Sequence, residues 1–440
     1  AETCCKMAHS FFKLRVISLC VLLPLHSLAQ SVSFPLTTRP LPVSMFKARR
    51  RMLGSTGPGN VKFGMKYSMG LVVSLPLGTP AQSQNLILDT GSQLSWVPCG
   101  NQIKPAQASG ASSSTSLPLF NPTVSTSFSP LSCKDPVCKP PVPDFSIPTA
   151  CDQKQLCQYS YFYADGTLAE GNLVMEKIAV STPLSSSSIA LGCSVGSKDD
   201  NGLLGMNMGR LSFVSQSKIK KFSYCVPARF SRTAPSSTGA FYLGENPSAA
   251  SLQYVNLIKF PESQRMPNLD PLAYTVPMSG IRIGTSNLNI SVPSFRPNAG
   301  GSGQTFVDSG SELTYLVDEA YAKVKEAVVA LTGTMMKKDF SYSGVADLCF
   351  DDGVAPMAAN KIRSIGLKFD GGVEISVGPE TLLMDAGNGV KCLPIGRSSM
   401  LGSASNIIGN VHQQNLWVEY DIEGSRIGFG KADCSRSYSQ

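Results

Sequence analysis

Apolar residues along this chain come in short runs closed by glycine or proline, not in long periodic stretches. GLVVSLPLGTP (70–80) and GSRIGFGKA (424–432) are typical. A few apolar positions followed by a turn residue is the pattern of strands joined by tight connections, and its recurrence predicts an all-β protein. One segment breaks it. In VDEAYAKVKEAVVAL (317–331) the apolar positions fall three and four apart, which predicts a helix packed on one lobe without a catalytic part.

The run LILDTGSQLSWV (86–97) ends an apolar stretch with Asp89, then Thr90, Gly91 and Ser92. Alone it reads as an ordinary turn, because Asp and Gly are frequent there. TFVDSGSELTYL (305–316) repeats it position for position in kind, with Asp308, Ser309, Gly310 and Ser311. The aspartates lie 219 residues apart. Each is followed about a hundred residues later by an apolar-apolar-Gly element, Leu203-Leu204-Gly205 and Ile407-Ile408-Gly409. Matched pairs at this separation point to a duplicated domain and so to two pseudo-symmetric, β-barrel-like lobes with a few short helices.

With 440 residues, 42% hydrophobic and 15% charged, the chain can form a large bilobed unit or two to three domains. Its net charge of +8 suggests nucleic acid until the charges are located. Residues 1–66 hold ten of the 38 basic side chains and one acid, Glu2, so residues 67–440 carry 28 basic against 29 acidic groups. The body of the chain has no basic footprint for DNA or RNA.

From Met7, a basic start (Lys13, Arg15), an apolar core (Val16–Leu25) and Ser27-Leu28-Ala29 read as a secretory signal cut after Ala29, with residues 1–6 lying upstream. No later apolar run reaches the roughly 18 residues of a membrane span. SRSYSQ at the C-terminus offers neither a lipid-anchor tail nor a retention tetrapeptide. The expected location is the secretory pathway, either the extracellular apoplast or an endomembrane compartment. The divisions expected are 1–29 signal, 30–66 prosegment, 67–245 first lobe and 246–440 second lobe.

Of 13 cysteines, Cys4, Cys5 and Cys20 fall in the signal region, which leaves ten. An even number in an exported chain predicts five disulfides. Zinc is the rival for Cys133, Cys138, Cys151 and Cys157, though their spacing lacks the short pairs of structural zinc. Histidines are scarcer still: His9, His26 and His412, of which the first two leave with the signal. A single histidine excludes HExxH chemistry and leaves His412 alone for any Ser-His or Cys-His site.

Hydrolysis by carboxylates fits that inventory. Two carboxyls held face to face cannot both ionise easily, so they share a proton and titrate as a unit. The ionised member can take a proton from a water while the protonated one polarises a scissile carbonyl. Gly91 and Gly310 let backbone N–H groups approach the carboxylates. Thr90 and Ser309 can tie the two loops together, and Ser92 and Ser311 can bond the outer carboxylate oxygens. The scheme uses no histidine, metal, cofactor or covalent intermediate.

The pair DTGS and DSGS, with Trp96 seven residues after Asp89, resembles the pepsin-type aspartic peptidases. CQYSYFYADGTLAEG (157–171) stands where that family has its flap. By the resemblance Tyr163 is the flap tyrosine, bonded to Trp96, and Asp165 and Gly166 belong to the flap's substrate-binding tip. The cysteine-rich insert before the flap, GLLGMNMGRLSFVSQ, FSYC and IIGNVHQQNLWVEYD are similar to the plant nepenthesin-like branch. That branch implies bridges Cys99–Cys193, Cys133–Cys157, Cys138–Cys151, Cys225–Cys434 and Cys349–Cys392. Ala164 departs from the usual flap glycine, and Thr167 stands where serine is common. The chain also lacks the long helical insertion of vacuolar relatives.

ASGASSSTSLP (108–118) reads as a surface loop with a specificity role as the alternative. KARRR (47–51) reads equally as a cover for an acidic cleft, a processing site or a solvated run. Asn289-Ile290-Ser291 is the usable N-glycosylation sequon, since Asn121 and Asn246 precede proline. Together these features predict a monomeric acid endopeptidase that cleaves extended polypeptides with Asp89 and Asp308. The resemblance adds a preference for large apolar residues beside the cut. The alternatives are a catalytically impaired homologue that binds proteins or inhibits glycosidases, and a disulfide-rich wall protein. The second of these leaves the repeated motifs unexplained.

Overall fold

The structure, a computed structural model, describes residues 31–42, 62–63, 67–100, 119–139, 147, 149–163, 168–180, 188–195, 201–229, 238–261, 264 and 266–436. The signal, KARRR, the serine-rich run and the flap tip with Ala164, Asp165, Gly166 and Thr167 lie outside those residues.

Strands dominate, and most belong to one fifteen-stranded sheet that runs through both halves. Its members include β1 (Val32–Pro42), β2 (Tyr67–Leu77), β3 (Gln82–Asp89), β4 (Trp96–Cys99), β5 (Cys157–Phe162), β6 (Leu168–Lys177), β7 (Ser188–Val195) and β8 (Gly202–Gly205). It continues with β9 (Lys221–Cys225), β10 (Gly239–Leu243) and β11 (Gln253–Asn256). In the second half, β12 (Thr305–Val307), β13 (Thr314–Leu316), β14 (Ile395–Arg397) and β15 (Asn406–Ile408) form a separate four-stranded sheet. β16 (Leu416–Asp421) and β17 (Arg426–Lys431) return to the large sheet, where β16 pairs with β9. The fold is all-β with two lobes, as the apolar pattern predicts.

Why the first aspartate-motif strand runs into three consecutive apolar residues, Leu86 to Leu88, is visible in its neighbours. β3 pairs antiparallel with β2 and parallel with β8, and its last six residues are all buried. A strand covered on both faces has no solvent face to fill with polar residues.

The duplication seen in the sequence is a duplication of hydrogen-bonded pairings. β8 lies parallel to β3 with Gly205 opposite Asp89, and Leu203 faces Trp96 from the other side. In the second half β15 lies parallel to β12, and Ile407 faces Tyr315. Gly205 N–H donates to Ser95 Oγ at 3.0 Å, and Gly409 N–H donates to Thr314 Oγ1 at 3.2 Å. Trp96 and Tyr315 are therefore equivalent positions, as are Ser95 and Thr314.

The predicted helix is α1 (Asp318–Thr332), one residue displaced from the 317–331 read from spacing. It buries Ala320, Tyr321, Val324, Val328 and Thr332 on one face. Gly333, at φ +55°, ends it in a conformation that side chains with a Cβ rarely adopt.

β1 falls inside the stretch assigned to a prosegment, yet it pairs with β10 through Val32–Leu36 and with β2 through Leu36–Pro42. Phe34 and Leu36 belong to the main core. Lys62–Phe63 pairs with Phe340–Ser341 in the second half.

Ten cysteines form five bridges: Cys99–Cys193, Cys133–Cys151, Cys138–Cys157, Cys225–Cys434 and Cys349–Cys392. Two of these correct the pairing implied by the resemblance, which joined Cys133 to Cys157 and Cys138 to Cys151. Cys151 and Cys157 sit opposite one another across a hairpin, so all four sulfurs gather in one place. The fold sets which of the two each partner meets, and sequence spacing does not encode it. Their pairing as disulfides closes the zinc alternative.

Candidate active site

The two aspartate loops meet and hold each other. Thr90 N–H donates to Ser309 Oγ at 3.0 Å, and Ser309 N–H donates to Thr90 Oγ1 at 2.9 Å. Each hydroxyl then reaches the strand of the opposite motif: Thr90 Oγ1 to the Val307 carbonyl (3.3 Å) and Ser309 Oγ to the Leu88 carbonyl (2.7 Å). Thr90 is 1% exposed and Ser309 0%, so no water competes for these bonds. The hydroxyl after each aspartate is the fastener between the halves.

Each carboxylate is pinned on its own side. Gly91 N–H donates to Asp89 Oδ1 at 2.8 Å, and Ser92 Oγ to Asp89 Oδ2. Gly310 N–H donates to Asp308 Oδ1 at 2.9 Å, and Ser311 Oγ to Asp308 Oδ2 at 2.6 Å. Across the axis, the missing side chain of each glycine makes room for the other motif's aspartate. A Cβ at Gly310 would stand 2.3 Å from Asp89 Oδ1, and one at Gly91 would stand 2.9 Å from Asp308 Oδ1.

The carboxyls are 7% exposed and lie within hydrogen-bonding reach of each other. Burial, then the charge of Asp308, pushes the proton affinity of Asp89 well above the ordinary carboxylate range, and the bonds from Ser92 and Gly91 only partly oppose this. Two carboxyls this close share a proton more readily than they both ionise. That gives the site an acid and a base in one place.

Tyr163, expected from the resemblance to be the flap tyrosine, lies against Trp96. Trp96 Nε1 donates to Tyr163 Oη at 2.7 Å, and the Tyr163 ring meets Tyr161 edge-on at 4.8 Å. Tyr161 Oη accepts from Gln93 N–H at 3.1 Å, which ties the flap strand to the Asp89 loop. Sequence reading missed Tyr161; its place in the run YSYFY carries no mark that separates it from its neighbours.

Also missed was the floor of the site. Gln413 Nε2 donates to the carbonyls of Asp308 (3.2 Å) and Ile408 (2.8 Å), and its Oε1 accepts from Tyr224 Oη at 2.6 Å. Tyr420 Oη donates to Thr90 Oγ1 at 3.4 Å. Ser95 and Thr314 did have a visible signal, a hydroxyl residue six places after each aspartate. Asn289 is exposed in a loop after a short hairpin. Among the described residues no cluster of three or more His, Cys, Asp or Glu side chains is placed to hold a metal, and no helix is long and apolar enough to cross a membrane.

Two interlocked Asp-Thr/Ser-Gly loops, one from each half, with a tyrosine bonded to Trp96 beside the first, define the pepsin-type class of bilobed proteins. Comparison with known proteins agrees. The family described as Xylanase inhibitor N-terminal matches residues 71–245, and Xylanase inhibitor C-terminal matches 273–431. The chain is similar to aspartic proteinase PCS1 of Arabidopsis thaliana, 33% identical over 86% of this chain and 84% of that one. It is also similar to aspartic proteinase nepenthesin-1 of Nepenthes gracilis, 32% identical over 87% and 82%. Basic 7S globulin from soybean shares the fold at a TM-score of 0.61 and 18% identity, over 93% of this chain and all of that one. The chain belongs to the pepsin-type aspartic peptidase family, in its plant nepenthesin-like branch.

Proposed function

We propose that this protein is an acid endopeptidase in which Asp89 and Asp308 act on one shared water. The observation that carries the reading is the meeting of two buried carboxyls, each fixed by two donors of its own loop. The ionised carboxyl takes a proton from the water as that oxygen attacks the peptide carbon. The protonated carboxyl gives its proton toward the carbonyl oxygen, where charge develops. As the tetrahedral species collapses, the carboxyl that took the water's proton gives it to the leaving amine, and a hydroxyl of the diol returns its proton to the other carboxyl, which restores the starting state.

The substrate is a polypeptide lying extended between the lobes, with Tyr163 closing over it. A monomer supplies both aspartates. The ten-cysteine, five-bridge framework supports maturation in the secretory pathway. Exposed Asn289 is then open to glycosylation.

A binding protein is the second reading, favoured by family descriptions that name xylanase inhibitors. Against it stand both aspartates, both glycines and all four hydroxyls in bonded positions. The deciding experiment measures cleavage of an unfolded protein from about pH 3 to about pH 7, with and without pepstatin, for wild type, Asp89→Asn and Asp308→Asn. Acid-favoured cleavage lost in both variants and blocked by pepstatin establishes the peptidase. A folded wild type that cleaves nothing assigns the chain to binding.

A further inference from the structure

Arg229 lies in the connection after β9, and it grips the second half at a point that neither the catalytic motifs nor the flap explain. Its backbone N–H donates to Gln414 Oε1 at 2.5 Å, and its guanidinium Nη2 donates to Asn410 Oδ1 at 2.7 Å. Asn410 uses the other end of its amide on the catalytic loop, donating from Nδ2 to the Ser309 carbonyl at 3.0 Å. Its backbone N–H donates to the Ser311 carbonyl at 2.8 Å. Glu312 balances the charge, 4.0 Å from Nη1, and accepts from Tyr342 Oη at 2.9 Å. The two charged side chains are 9% and 6% exposed.

An asparagine amide has nearly the same shape either way round, so sterics alone leave its orientation open. A guanidinium only donates. Turned over, Asn410 would present NH₂ to the donors of Arg229 and oxygen to the carbonyl of Ser309, two repulsive contacts in place of two bonds. Arg229 thereby fixes which end of Asn410 meets Ser309. Ser309 in turn holds Thr90 in the opposite loop.

The first half uses its asparagine differently. Asn207 N–H donates to the Ser92 carbonyl at 3.0 Å, as Asn410 N–H does to that of Ser311, but Asn207 Oδ1 accepts from the nearby Gly209 N–H at 2.9 Å where Asn410 Oδ1 takes the guanidinium. We infer that Arg229 is a positioning residue: with Asn410 it locks the Asp308 loop in register with the Asp89 loop, from outside the repeated motifs. This rests on the peptidase reading for its effect on rate, though not for its effect on the loop.

The test uses Asn410→Ala, the pair Arg229→Met with Glu312→Gln (so that no charge is left buried alone), and all three changes together. Each of the first two lowers kcat about tenfold with KM within about twofold of wild type, and the combination falls no further, because all break one relay. Unchanged kcat, or losses that multiply to about a hundredfold, overturn the inference. Hydrogen exchange decides it separately. Amides in 305–313 exchange faster in every variant while those of α1 do not, and unchanged exchange in 305–313 overturns the clamp even if the wild type cleaves nothing. A wild type without cleavage defeats the peptidase reading alone.

Discussion

Gly310 passes so close to Asp89 that a single added carbon would stand 2.3 Å from the carboxylate oxygen Oδ1. That oxygen belongs to a short side chain already held by Gly91 and Ser92, so it has nowhere to retreat. Gly310→Ala displaces Asp89 and lowers kcat/KM by about a hundredfold or more, since catalytic groups tolerate little misplacement. Gly91→Ala, with a wider 2.9 Å approach to Asp308, does less damage. A Gly310→Ala enzyme within about threefold of wild type would show that the carboxylates are not packed this tightly.

The raised proton affinity of Asp89 has a stability consequence with a definite sign. Between its unfolded value near 3.8 and its higher native value, the folded chain holds a proton that the unfolded chain has lost. Stability therefore falls as pH rises through that window. Asp89→Asn keeps the shape and removes the charge, so its Tm advantage over wild type grows from about pH 4 to about pH 7. A Tm difference that is flat with pH contradicts the shared-proton description.

His412 works in the opposite sense. It is 1% exposed, its Nδ1 lies 2.7 Å from Thr314 Oγ1, and burial lowers its pKa from 6.5 to about 4. Between those values the unfolded chain takes up a proton that the native chain refuses, so stability is lost as pH falls through the window. Two to three pH units correspond to roughly 3 kcal/mol at most. His412→Gln removes this slope, and urea titrations at about pH 6.5 and about pH 4 should show a smaller stability difference in the variant than in wild type.

Tyr163→Phe deletes one partner of the Trp96 Nε1 bond while leaving the ring against Tyr161. A hydrogen bond of this kind contributes about 1 kcal/mol, so kcat/KM falls about fivefold to tenfold with Tm nearly unchanged. Equal kinetics for the two proteins would mean that the pair does not position the flap.

Leu36→Ala tests the place of β1. Leu36 is 1% exposed in the main core, and truncating such a residue costs about 2–5 kcal/mol. Chemical unfolding of the variant reads that loss directly. A stability equal to wild type would return Val32–Pro42 to the status of a detachable leader.

What the sequence made legible was whatever repeats or alternates. Asp89 and Asp308, their glycines and their hydroxyls stood out because each motif vouches for the other at matching offsets. α1 stood out because its period differs from that of its surroundings. Gln413, Tyr224 and Tyr420 did not, since side chains that reach the Asp308 carbonyl, Gln413 itself and the Thr90 hydroxyl from distant strands leave no spacing rule along the chain. Arg229 was hidden for a further reason: its partners Asn410 and Glu312 come from the other half, and only the folded sheet brings them together. The exchange of partners among Cys133, Cys138, Cys151 and Cys157 belongs to the same category, because the folded hairpin brings Cys151 and Cys157 side by side.

The pairing of β9 with β16 sets an order of events during synthesis. β9 closes at Cys225, but its outer edge is covered only by Leu416–Asp421, and Cys225 finds its sulfur partner in Cys434, 209 residues further on. A chain emerging from its N-terminus carries that strand edge bare until Leu416–Asp421 has followed it. An uncovered edge is a template for pairing with any other extended chain. Molecules interrupted before Leu416–Asp421 would therefore be the ones that stick to each other, along Lys221–Cys225.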